Sequence, residues 1–224
     1  MASVIDICNL ALSHIGDRAN INSISPPEGS IQAEHCARFY PLALDTLLRM
    51  HPWTFATRRL LLADASLVVP PAHPWQYSYA IPSDLVTVIG IYSGARQFDE
   101  DAHEYEFEIG NDANRTRVIF TNCDEATMRY VSDVTDSARF PAWFVQALSW
   151  ILASHLAGPI IKGEQGVRTA QAALQTGLSY AAKAAANDAN ERRRSPVRND
   201  TRHTAPWLAN RALIWPYNDE PYSP

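Results

Sequence analysis

The stretch Pro141 to Ala157, PAWFVQALSWILASHLA, constrains this chain more than any other, because at helical spacing it is apolar on nearly every side. A helix without a polar face belongs in the middle of a protein layer or in a bilayer. The run meets Gly158 and Pro159 before it reaches the about 20 apolar residues a bilayer asks for, and it carries Gln146, Ser149, Ser154 and His155. The expectation is a buried core helix that begins at Pro141, which suits a first helical position, and no membrane partner.

Such a helix needs neighbours, and the sequence offers three. Ser3 followed by Asp6 reads as a capping box ahead of Val4, Cys8, Ala11 and Ile15, with Gly16 suited to the left-handed C-terminal position. Ser30 caps a second helix whose Cys36, Tyr40, Ala43, Leu47 and Met50 form one stripe. Pro41 should kink or split it, and Pro52 should stop it. The last helix runs from about Gly166 to Arg194. It is rich in alanine, among them Ala170, Ala173, Ala181 and Ala185. At roughly 40 Å it outreaches a domain of this size, as helices that pack on other subunits do.

Between the helices the period changes to two. WQYSYAI places Trp75, Tyr77, Tyr79 and Ile81 on one face, and VTVIGIY reads as a strand buried on both faces. YEFEI, TRVIFTN and ATMRYVSDV complete a small antiparallel sheet. The expected fold class is therefore α+β: a bundle of about four helices with an inserted β region and an extended C-terminal tail. The expected organisation is a discontinuous helical domain (1–53 and 136–194), a β domain (54–135) and a docking tail (195–224).

Charge separates that tail from the body. Met1 to Asp188 holds 13 basic and 20 acidic residues, whereas Ala189 to Pro224 holds 6 arginines and 4 acids. An acidic body binds phosphate backbones poorly, which argues against tight nucleic-acid binding. The tail has arginines at Arg193, Arg194, Arg198 and Arg202 and apolar anchors at Trp207, Leu208, Leu213, Ile214, Trp215 and Tyr217. Arginine and tryptophan are enriched at binding hot spots, so these ten residues are the candidate contacts to a partner or to another subunit.

Catalytic signatures are missing. There is no G-x-S-x-G, H-E-x-x-H or dinucleotide fingerprint, and GPIIKGEQG departs from a phosphate-binding loop. Cys8, Cys36 and Cys123 have unrelated spacings, so no metal, no disulfide and no cofactor is expected. Carboxylates cluster only between Asp99 and Glu108, where Glu104, Glu106 and Glu108 alternate with Tyr105, Phe107 and Ile109. A glycosidase pair is one reading, and the solvent face of an edge strand is the favoured one. The start MASVIDICNLALSHIG lacks the basic opening of a signal peptide, so synthesis in the cytoplasm is expected.

Four segments, ALSHIGDRANINSI, HPWTFATRRLLLA, WQYSYAIPSDLVTVIGIY and RYVSDVTDSARFPAWFVQALSWILASHLAGPI, resemble in that order the tail tubular protein A family of short-tailed bacteriophages and related prophages. The resemblance covers about residues 3 to 190 and leaves the tail out. It implies a structural virion protein and not an enzyme: a head-to-tail adaptor, typically a ring of twelve subunits. Its implied partners are further copies of itself, the portal and the tail nozzle protein, with tail fibre or spike proteins as further neighbours. DNA would pass through the lumen without specific binding, and an acidic body makes a net acidic or neutral lumen the expectation. Two alternatives are a tail-associated glycan or peptidoglycan hydrolase and a host-encoded soluble interaction module.

Within the second motif, Trp53 and Phe55 are expected to close the junction between the helical and β parts, with Arg58 and Arg59 at its rim. In the sharper reading the arginine pair reaches an acidic patch on the next subunit.

Overall fold

A computed structural model describes residues 2–65, 74–93, 104–111 and 117–191. Its fold is α+β, with four helices and two antiparallel sheets among the described residues. The helices are α1 (Val4–His14), α2 (Ile31–Met50), α3 (Ala142–Ile161) and α4 (Gly163–Glu191). The strands are β1 (Thr57–Leu61), β2 (Tyr77–Ala80), β3 (Leu85–Ser93), β4 (Glu104–Tyr105), β5 (Phe107–Asn111), β6 (Arg117–Thr121) and β7 (Ala126–Ser132).

Local signals account for the helix ends. Ser3 Oγ accepts the Asp6 N–H while Asp6 accepts the Ser3 N–H, which closes the capping box. Ser30 caps α2 through the Ala33 N–H, and Gly16 takes a φ of +81° after α1. Neither internal proline breaks its helix. α2 runs through Pro41 as one helix: Tyr40, Ala43, Leu44 and Leu47 are buried around it, and Pro41 itself faces solvent, where a carbonyl without its partner is hydrated. Met50, expected in the stripe, is exposed. α3 likewise continues through Gly158 and Pro159 and stops at Lys162, whose φ is +60°. α4 therefore begins at Gly163, a turn earlier than its alanine pattern indicates, and Pro141 caps α3 from outside rather than opening it.

α3 has the length and apolarity of a membrane-crossing helix, and it is the centre of the helical layer. Phe144, Leu148, Ile151, Leu152 and Leu156 are buried in one cluster with Ile7 and Leu12 of α1 and Leu47 and Leu48 of α2. α4 lies on another side of α3 through small residues. A side-chain carbon added at Gly177 would stand 2.9 Å from Ile151 Cγ1 and 3.1 Å from the Ile151 backbone nitrogen.

One sheet was expected, and there are two: β1-β7-β3-β4 and β2-β6-β5. Two segments turn the corner between them. Residues 57–61 pair with β7, after which Asp64 bridges Tyr79 of β2; Glu104–Tyr105 pairs with β3, after which Phe107–Asn111 pairs with β6. Leu62, Tyr79, Ile91, Ile119, Met128 and Tyr130 fill the space they enclose. The outer side of the four-stranded sheet gives Val131, Val86 and Ile89 to the helical core. That is why VTVIGIY reads as buried on both faces: β3 lies between two cores. A bulge at Ile89 keeps both supplied, since it lets Val88 and Ile91, three residues apart, face the same way opposite Tyr130 and Met128. Trp75 leaves the expected row with Tyr77 and Tyr79 and packs outside with Val118 and Phe120. Because the four-stranded sheet joins both cores, residues 1–190 form a single unit.

Candidate assembly interface

The motif around Trp53 is built as a joint. Pro52 ends α2, and the chain turns so that the Trp53 indole, 1% exposed, lies under α3. Its ring meets Phe144 edge-on at 5.0 Å, and its Nε1–H donates to the Leu47 carbonyl at 2.9 Å, so no polar atom of the ring is stranded. Phe55 packs against Phe140 and Phe144.

The end of α4 is tied to the same joint. Asp188, 5% exposed, accepts the Thr54 N–H at 2.7 Å with one oxygen and faces His51 Nε2 at 3.1 Å with the other. A buried carboxylate needs such partners. Sequence reading missed it, because nothing in AANDANE distinguishes Asp188 from a solvated acid.

The two arginines of the motif part company in β1. Arg58 Nη1 donates to Asp84 at 3.1 Å, and Asp84 also accepts the Tyr130 hydroxyl at 3.1 Å, which ties β1 to the turn before β3. Burial, followed by this bond, pushes the Tyr130 hydroxyl above its ordinary pKa. Arg59 points to the other face, directly opposite Arg129 of β7. The nearby Arg49 and Arg139 are satisfied within the chain: Arg49 by Asp45 and the Val86 carbonyl, Arg139 by the Phe55 carbonyl.

Two concavities lie beside these elements. A groove of about 390 Å³ between α2 and the Ser83–Val86 turn is lined by Tyr40, Leu44, Asp45, Arg49, Asp84 and Asp133. Tyr40 is 7% exposed, its hydroxyl has no hydrogen-bond partner among the described residues, and burial pushes its pKa up to about 12. An open cleft of about 680 Å³ is lined by Trp75, Tyr105, Phe107 and Glu104, Glu106 and Glu108. There Trp75 Nε1 donates to Glu108 at 2.9 Å. Tyr105 and Phe107 turn into the β core, and the three glutamates are exposed.

α4 presents a second face to solvent. Val167, Leu174 and Leu178, spaced seven and four apart, are 56%, 42% and 44% exposed. On α3, Trp143 is 45% exposed and stacks with Tyr180. The expected tail contacts, Arg193 to Tyr217, and the acids Asp99 to Asp101 lie outside the described residues. Among the described residues no group of three or more His, Cys, Asp or Glu is placed to hold a metal, and the three cysteines are buried free thiols. No protein-family model matches the chain, and no curated protein does.

Proposed function

We propose that this chain is a structural virion protein: an adaptor whose copies form a ring, of about twelve in the resembled family, between the portal and the tail nozzle of a short-tailed phage. The reading starts from the four ordered motifs, and the structural observation that carries it is the outward face of α4. A helix of 29 residues that packs small residues on its own subunit and leaves Val167, Leu174 and Leu178 in water is suited to a second contact. In this reading the four helices act as a bundle that holds the ring. The segment 195–224 grips the portal through its arginines and tryptophans, and the lumen wall is acidic or neutral, so that DNA slides through it. No catalysis is required.

The test is the mass of the purified protein, alone and with the portal of the same phage, for the full chain and for one ending at Ser195. A ring that forms with the portal only when the tail is present supports both the adaptor and the docking tail. A chain that stays monomeric and ignores the portal favours a host interaction module.

One observation favours a second reading, a glycan hydrolase: the open cleft combines three glutamates with Trp75. Loss of polysaccharide cleavage on changing Glu104 and Glu106 to glutamine would be its signature. A wild-type protein inert on purified polysaccharide removes it.

A further inference from the structure

We infer that Arg59 and Arg129 together form a seat for carboxylates of a second copy of this chain, and that Glu104 and Glu106 of that copy fill it. The inference deepens the ring reading above and rests on it.

Register places the two arginines together. Arg59 of β1 stands directly across from Arg129 of β7, and Met128 and Tyr130 on either side point into the β core. Both guanidinium groups therefore leave on the outer face. Like charges directly opposite on adjacent strands destabilise a sheet unless something neutralises them. Here nothing on the chain does so: among the described residues neither arginine lies within ion-pair distance of a carboxylate, whereas Arg49, Arg58 and Arg168 each do. Arg59 is exposed and Arg129 half-buried, so the pair is open to an incoming group. Two adjacent guanidinium forks suit carboxylates, which they can bind with paired hydrogen bonds.

The counterpart is indicated by the sheet order. β1 and β4 are the two edges of the four-stranded sheet. β1 brings Arg59 to one edge, with Leu61 61% exposed on the same face. β4 and the residue after it bring Glu104 and Glu106 to the other. Both are exposed, and neither receives a hydrogen bond or ion pair among the described residues; Glu108, by contrast, is held by Trp75. One edge is thus basic and the opposite edge acidic. Patches on opposite edges pair head to tail, a heterologous contact that closes a ring when the rotation per subunit fits. The same contact covers a strand edge that is otherwise a liability in solution.

The experiment follows assembly by mass photometry over a concentration series, with the portal present if the wild type needs it, on the full chain. Three proteins are compared: wild type, R59E/R129E, and the fourfold swap R59E/R129E/E104R/E106R. The first variant should keep the wild-type circular dichroism and raise the assembly midpoint by about tenfold or more. The swap should bring it back, because it restores the pairing with the signs exchanged. Wild-type assembly should also weaken with added salt. If R59E/R129E assembles like wild type, the seat is refuted and the ring reading stands. If it fails to assemble and the swap does not rescue it, Glu104 and Glu106 are not the counterpart. If the wild type never assembles, alone or with portal, both readings fall.

Discussion

Trp53 and Phe144 meet edge to face, at 5.0 Å between ring centroids and 84° between planes, and this contact joins the start of the β region to the central helix. The geometry places ring-edge hydrogens against a π face, and the indole N–H reaches Leu47 on a third element. Replacing Trp53 by alanine should cost about 3–5 kcal/mol, because a fully buried ring leaves a cavity. Replacement by phenylalanine should cost about 1–2 kcal/mol, chiefly for the lost bond to the Leu47 carbonyl. Urea unfolding checks both, with the midpoint falling in that order at an unchanged slope.

Two glycines in helices should respond in opposite directions. Gly158 of α3 has nothing within 4 Å of an added side-chain carbon, so Gly158→Ala should gain up to about 1 kcal/mol of helix propensity. Gly177 of α4 would press that carbon against the Ile151 backbone, so Gly177→Val should separate α4 from α3 and cost about 1–3 kcal/mol. Thermal melting of the two variants beside wild type decides it. A stabilised Gly177→Val would mean the helices have room to move apart.

What could be read from the sequence was decided locally, and what could not was decided by pairing. The capping box of Ser3 and Asp6, the cap at Ser30 and the turn at Gly16 depend on residues within a few positions of one another, and each stands where the pattern puts it. The all-apolar face of α3 likewise required a central position. The split into two sheets, the bulge at Ile89 and the meeting of Arg59 with Arg129 depend on which strand lies beside which, and a one-residue change of register would undo each of them. Pro41 and Pro159 mislead for a related reason: their local cost is outweighed by burial of the residues on either side. The proposed interface was half legible. The β1 arginines stood out in the sequence, but the pairing with Arg129, and the diversion of Arg58 to Asp84, came only with the fold.

The contact of Asp188 with Thr54 and His51 should behave as a clasp on the last turn of α4. Asp188→Ala removes an acceptor from the Thr54 N–H and a partner from His51, and should cost about 1–3 kcal/mol. Amide exchange is the more telling measurement, since the effect should concentrate in the last two turns of α4 and at Thr54. Combining Asp188→Ala with His51→Ala should cost less than the two changes added together, by about 0.5 kcal/mol or more. Strict additivity would show that the histidine is only a neighbour.

Stability should fall on mild acidification because two histidines are buried in neutral form. His14 stacks on Trp150 at 3.7 Å and faces Ser149 Oγ at 3.1 Å, while His155 stacks on Phe39 at 5.8 Å. Burial holds both below the ordinary value of 6.5. Between that value and the lower folded ones the unfolded chain binds more protons, so stability rises with pH through this window. Their contribution is complete above about pH 6.5 and is lost as pH falls through the folded values. The melting temperature should stay level from about pH 8 to 7 and drop from about 6.5 to 5, a range above the ordinary carboxylate values. His14→Gln should shallow that drop while lowering the plateau, since it gives up the stacked ring. A wild-type melting temperature that stays level down to about pH 5 would mean that these rings take up protons without loss of packing.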